Sequence, residues 1–194
     1  MEFDYLIIHI DPCSQMADYA LLPKADLILI THGHSDHLDK KAISLISKDS
    51  THIICGKSAA GTLPMADCME NGTKRNHHKI RLEAVPAYNT TIEHLHFHPK
   101  GEGNGYVLRM GGMGVYVAGD TEFIPEMESL KNINIAFLPV NQPYTMTIDQ
   151  AVNAAKAIKP AILYPYHFSD TDITRLVSAL EKDTSIAVRI RRLR

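Results

Sequence analysis

LILITHGHSDHL, residues 27–38, is the stretch on which the reading of this chain turns. Leu27 to Ile30 is a compact apolar run of the kind that forms a strand buried on both faces. Leu38 opens a segment to Ser47 in which Leu38, Ala42, Leu45 and Ile46 fall on one helical face. Between strand and helix lies a polar loop, at the carboxyl end of a strand, where α/β sheets place ligand sites. Two imidazoles two residues apart, His32 and His34, can grip one cation, and the pair Asp36-His37 points to a neighbouring one. Zinc and similar borderline metals accept such nitrogen and oxygen donors. With 11 histidines in the chain, random placement yields only about 0.002 matches to H-x-H-x-D-H. Accident does not explain the cluster.

The rest of the composition narrows the function classes. The chain has 194 residues, 45% hydrophobic and 22% charged, which reads as one domain over 1–194 of an ordinary globular protein. A net charge of -2 gives no general attraction to nucleic acid or anionic membranes. That leaves a small-molecule substrate. Cys13, Cys55 and Cys68 are an odd, scattered set that suggests no disulfide framework and fits a reducing compartment. No apolar run approaches the roughly 18 residues of a membrane span. The start, MEFDYLIIHIDP, carries acidic residues where a signal peptide carries positive charge, so the expected location is the cytoplasm.

Around the cluster the pattern alternates between strands and helices. Tyr5 to Ile10 and His52 to Cys55 read as strands, and 56–78 as irregular. Ile80 to Val85, Gly105 to Met110 and Val115 to Ala118 are short strands, with Gly111-Gly112 as a hairpin turn. Ile135 to Val140 is a further strand, and Thr147 to Ile158 a helix stopped by Pro160. Ala161 to Tyr166 is strand, Asp170 to Leu180 helix and Ile186 to Ile190 a last strand. Arg189 and Arg191 share a face there, with Arg192 and Arg194 beyond, as on a charged edge strand. The order implies a layered α/β domain.

Five segments carry a family resemblance: ADLILITHGHSDHLD (25–39), VPAYN (85–89), GVYVAGDTE (114–122), FLPVNQPYTM (137–146) and ILYPYHF (162–168). In these the chain resembles the metallo-β-lactamase superfamily. Within it, the small hydrolase branch of L-ascorbate-6-phosphate lactonase and N-acyl-phosphatidylethanolamine-type phospholipase D is the most similar. The resemblance implies an αββα sandwich, two mixed sheets flanked by helices, with one or two Zn2+ ions, or Mn2+ or another divalent metal, at the sheet edges. It implies His32 and His34 on one metal, Asp36, His37 and His167 on the second, and Asp120 between them. Taken singly, Asp120 is an ordinary turn aspartate and His167 a satisfied buried histidine; in this company both read as ligands.

Two departures from that pattern matter. The family's third histidine at the first metal falls at Asn89, whose carbonyl is a weak zinc ligand. Either one metal binds, or a harder metal is used, or another histidine substitutes. His94, His96 and His98 alternate and would share a face in an extended segment, and His98 is the expected substitute, as ligand or substrate contact. The resemblance also implies a strand or two ahead of the segment 5–12, whereas this chain starts almost inside that strand. One edge of the first sheet is therefore expected to be shorter, or covered by a partner chain in a homo-oligomer.

The expected activity is hydrolysis of a phosphodiester or lactone by a metal-activated water, with Asp36 or Asp120 orienting the water and taking its proton. The rival expectation is a metal-binding relative with a degenerate first site and little catalysis. Tyr88 and Tyr144 read as packing residues near a pocket mouth, Thr121 as hydrogen-bond support for a ligand carboxylate, and His77-His78 as exposed loop. Pocket shape falls to 56–78 and 90–104.

Overall fold

The computed structural model describes residues 1–193. In chain order the elements are β1 (Glu2–Phe3), β2 (Leu6–Ile10), β3 (Leu27–Ile30), α1 (Lys40–Ile46), β4 (His52–Cys55), α2 (Lys57–Ala60), β5 (Asp67–Cys68) and β6 (Lys74–His77). There follow β7 (Ile80–Ala87), β8 (Gly103–Met110), β9 (Met113–Val117), β10 (Ile135–Pro139), α3 (Ile148–Ile158), β11 (Ile162–Tyr166), α4 (Thr174–Leu180) and β12 (Ala187–Val188). They form a five-stranded sheet, β1-β2-β3-β4-β5, and a seven-stranded sheet, β12-β11-β10-β9-β8-β7-β6. Both are mixed: β2 to β5 and β9 to β12 run parallel, and the remaining pairs antiparallel.

The uniform apolarity of β3 follows from its place in the layers. Alternate strand residues point to opposite faces. Leu27 and Leu29 pack into the core between the sheets, with Ile54, Leu82, Tyr106 and Val115. Ile28 and Ile30 pack into the core under α1, with Ile43 and Ile46. All four are fully buried, each worth about 1.5–3 kcal/mol relative to exposure. On the far side, α3 lays Ala151, Val152, Ala155 and Ile158 against Ala136, Leu138 and Leu163 of the second sheet. Its start is fixed by a capping box of Thr147 and Gln150, and its end by Lys159 in the left-handed region before Pro160. The layers are therefore helix, sheet, sheet, helix, as the family resemblance implied.

The segment 56–78, read as irregular, contains α2, β5 and β6. These are elements of two to four residues, too short to leave a periodic signal. The expected turn at Gly111-Gly112 is present, with φ of 57° and 78°, values that favour glycine at both positions. The last strand is shorter than expected, and α4 begins at Thr174 rather than Asp170. Arg194 lies outside the described residues.

Because β2, β3 and β4 run parallel, as do β9, β10 and β11, the carboxyl ends of these strands lie at common edges. The Tyr106 hydroxyl ties the sheets there by donating to the Ile30 carbonyl at 2.9 Å. Gly119, with φ of 67°, makes the turn after β9. A Cβ at that position would sit 2.7 Å from the Asn104 carbonyl oxygen and 3.1 Å from Thr31 Cβ. Only glycine lets the chain turn so close to the histidine loop and deliver Asp120 into it.

Candidate metal centre

Four strand ends converge on one cluster. The loop after β3 brings His32, His34, Asp36 and His37, and the turn after β9 brings Asp120. His167 follows β11, and His98 arrives just ahead of β8. One ring nitrogen from each of His32, His34 and His98 lies within 4.8 Å of the others, and so do donor atoms of Asp36, His37 and His167. A third set, His32, His37 and Asp120, joins the two. The Asp120 side chain faces His37 Nε2 at 3.4 Å, His98 Nε2 at 3.4 Å, His167 Nε2 at 3.6 Å and His32 Nε2 at 4.0 Å.

The outer ring nitrogens are held by separate partners. His32 Nδ1 lies 2.9 Å from the Thr31 hydroxyl, which donates to Asp11 Oδ2 at 2.7 Å. His37 Nδ1 meets the same Asp11 oxygen at 2.8 Å. His98 Nδ1 meets the Tyr144 carbonyl at 3.0 Å, and His167 Nδ1 the Asn141 amide at 3.3 Å. A ring nitrogen facing a carboxylate or carbonyl must carry the proton, so in neutral His37 and His98 the Nε2 lone pair points at Asp120. His37 Nε2, His98 Nε2 and Asp120 Oδ1 are buried with no hydrogen-bond partner among the described residues. Two orphaned nitrogens around a carboxylate that itself has an orphaned oxygen are expensive unless something binds them. The residues fit a divalent metal of the zinc type.

The charges agree. Burial opposes ionisation of Asp120, yet His37, His98 and His167 outweigh it and hold its carboxyl well below the usual range. Burial likewise disfavours charged His37, but Asp120 and Asp11 keep its pKa well above that of an ordinary histidine. The hydrogen bond from His167 lowers Asp36 to about 2. The centre thus holds ionised carboxylates ready to trade histidine protons for a cation.

Asp11 is a residue of the cluster's surroundings that the sequence did not reveal. Its Oδ1 accepts from the Thr31 backbone N–H at 2.8 Å, while Oδ2 reaches both Thr31 and His37. The only local sign was an aspartate and proline ending a strand, a common turn signal. That β2 lies beside β3 cannot be seen from the chain order alone.

The histidines of 94–98 do not share a face, contrary to expectation. Residues 92–94 form a 3-10 turn. His94 turns to Glu122 at 3.3 Å, His96 packs on Phe97, and only His98 enters the centre. Asn89 sits behind it: its backbone N–H donates to the His98 carbonyl at 2.9 Å, and its amide nitrogen to the carbonyls of His94 and Tyr144. Its Oδ1 is buried without a partner among the described residues. Thr121 bonds the Tyr88 backbone, N–H and carbonyl both, and not a carboxylate of the centre. Tyr88 is buried with its hydroxyl on Glu126, whereas Tyr144 is part-exposed against Phe97. His77 belongs to β6 and is half-buried, not loop.

Glu122 clasps the loop that carries His98. Its Oε2 accepts from the backbone N–H and hydroxyl groups of Thr90 and Thr91 at 2.8–3.0 Å. Burial raises its pKa, but those four bonds prevail and bring it from 4.5 to about 2. A depressed carboxyl contributes stability that is fully present above its unfolded pKa and lost as pH falls through the folded one. The window here is 4.5 down to about 2, and the contribution at neutral pH is roughly 3 kcal/mol. Acid titration followed by circular dichroism should show Glu122→Gln less stable than the parent at pH 7. The difference should shrink towards pH 2; one that persists unchanged there would refute the ionic clasp.

Two cavities flank the cluster. One of about 210 Å³ lies on the His32, His34 and His98 side, walled by Ser58, Phe97 and Glu102. The other, about 1120 Å³, opens beside Asp36, His37 and His167, walled by Met16, Tyr19, Phe137, Tyr166 and Arg192. The segment 90–104 shapes the first as expected. The second is built mainly by the two ends of the chain.

Residues 3–167 match the sequence profile of the Beta-lactamase superfamily domain. The chain belongs to that superfamily. It is 34% identical over 160 residues to a UPF0173 metal-dependent hydrolase of Thermoplasma acidophilum, covering 78% of this chain and 69% of the relative. A crystal structure from Parabacteroides distasonis, put forward as a metal-dependent hydrolase, superposes with a TM-score of 0.95. It is 52% identical, over 98% of this chain and 87% of its own. The metallo hydrolase Igni18 of Ignicoccus hospitalis shares the fold, with a TM-score of 0.80 at 23% identity over 99% of this chain and 90% of its own. The chain is a metal-dependent hydrolase of the metallo-β-lactamase superfamily. None of the described helices of this hydrolase is long and apolar enough to cross a membrane.

Proposed function

We propose that the hydrolase cleaves a phosphodiester, in preference to a lactone, at a two-metal centre. In this reading His32, His34 and His98 hold one metal, Asp36, His37 and His167 the other, and Asp120 lies between. Asn89 takes the family's histidine position but serves by holding the His98 segment. The observation that carries the reading is the convergence of the unpartnered His37 and His98 nitrogens on buried Asp120. The approach of His98 to His32 and His34 supports this reading over a degenerate first site, since His98 would supply the third imidazole that Asn89 lacks.

Bound metal would lower the pKa of a water and polarise the substrate oxygen. The chain's own contribution is positional. Asp36 is half-exposed and ionised, so its free oxygen can orient the attacking water and accept its proton. Asp120, buried and held by several histidines, stays fixed. The preference for a diester rests on shape: a phosphodiester has two arms diverging from phosphorus, and two unequal cavities are lined by the two ligand sets. A simple lactone has one body to place.

His98→Gln tests the assignment. With bis-p-nitrophenyl phosphate as substrate, turnover should fall by about 100-fold or more, the rate equivalent of about 2.7 kcal/mol, and one metal equivalent should be lost. Unchanged turnover and metal content would remove His98 from the centre. Faster hydrolysis of a simple lactone than of any diester would overturn the substrate preference.

A further inference from the structure

Three histidines gather at the end of the sandwich away from the centre. His52 opens β4 in the first sheet, His77 closes β6 in the second, and His78 follows it. His52 Nδ1 and His77 Nδ1 face each other at 3.1 Å. His52 Nε2 is 2.8 Å from Asp67 Oδ2, so it carries the proton and leaves a lone pair on Nδ1. Arg75 holds the same Asp67 oxygen at 3.3 Å and fixes the carboxylate in place. In neutral His77 one ring nitrogen carries a lone pair. A cation between the two rings would take it at Nδ1, leaving the proton on Nε2, which is buried with no hydrogen-bond partner among the described residues.

We propose that His52 and His77 form a separate, structural site for a zinc-type divalent cation that staples the two sheets together. Two nitrogens at about 2.0–2.1 Å from one ion and 3.1 Å apart subtend roughly 100° at the metal, close to tetrahedral. The Asp67 contact on the far nitrogen of His52 is the arrangement that fixes a ligating imidazole and raises its basicity. His78 packs edge-on to His77, with ring centroids 4.6 Å apart, and is exposed; its ring or water would complete the set. None of these residues belongs to the catalytic cluster, and the site stands apart from the proposed reaction.

The test is a zinc titration of the full chain already loaded at its metal centre. The parent should take up one further zinc and gain several degrees in thermal midpoint. His77→Gln should do neither, Asp67→Asn should need about 10–100-fold more zinc, and hydrolysis of bis-p-nitrophenyl phosphate should be unchanged in both. Should the variants fail to fold, the imidazole proton resonances of His52 and His77 in the parent should still shift together on adding zinc. Equal uptake by parent and His77→Gln, or resonances that stay put, would reduce the pair to a shared-proton hydrogen bond and overturn the proposal.

Discussion

Asp120→Ala is expected to lower kcat by at least about 1,000-fold, a loss of roughly 4 kcal/mol of transition-state stabilisation, and to deplete metal on both sides of the centre. The side chain is 4% exposed and faces four histidines at 3.4–4.0 Å. Among the described residues, no other carboxylate stands between the two ligand sets. Asp11 lies behind His37, and Asp36 belongs to the second set alone. Removing Asp120 leaves the His32, His34 and His98 set with no carboxylate of its own to balance a cation, a costly arrangement at a largely buried site. Asp120→Asn keeps the shape without the charge and should be nearly as damaged. Saturating kinetics and elemental analysis on folded protein decide the matter. Activity within tenfold of the parent would mean that the chemistry does not run through this cluster.

Asp11→Asn is the second large effect, and it acts at a distance from the reacting atoms. One carboxylate holds the Thr31 backbone, the Thr31 hydroxyl and the His37 ring, and through the hydroxyl it steadies His32. Losing such a partner behind a metal ligand typically weakens metal binding by 10–100-fold. The amide retains one oxygen, so the fold should survive; alanine would strand buried donors worth about 1–3 kcal/mol each. Asp11→Asn should therefore recover most of its kcat when metal is added in excess, with KM unchanged. A kcat that excess metal cannot restore would assign Asp11 a direct role in the reaction instead.

The parts of the fold legible in the sequence were those with strong local chemistry. Leu27 to Ile30 read as a strand because both of its faces are buried, and Thr147 to Ile158 as a helix because its cap and stop are encoded in Thr147, Gln150 and Pro160. The H-x-H-x-D-H loop was visible because its donors are adjacent in the chain. His98 was singled out, though for the wrong geometric reason: the segment is turned, not extended, and its neighbours His94 and His96 go elsewhere. Asp11 and Glu122 escaped notice because their partners lie 20 to 32 residues away, and such pairings depend on sheet topology. The larger cavity was missed for the same reason, being closed by residues from both ends of the chain. Elements as short as β5 and β6 carry no periodicity to read.

The most direct test of the two-metal reading is metal content per chain. It should be measured by elemental mass spectrometry on protein purified without chelator and carrying His77→Gln, which removes the His52–His77 position. The reading predicts about two equivalents of zinc or manganese, falling to about one when His98→Gln is added. One equivalent or fewer in that background, unchanged on adding His98→Gln, would mean that His98 does not stand in for the histidine missing at Asn89, and would contradict the two-metal centre.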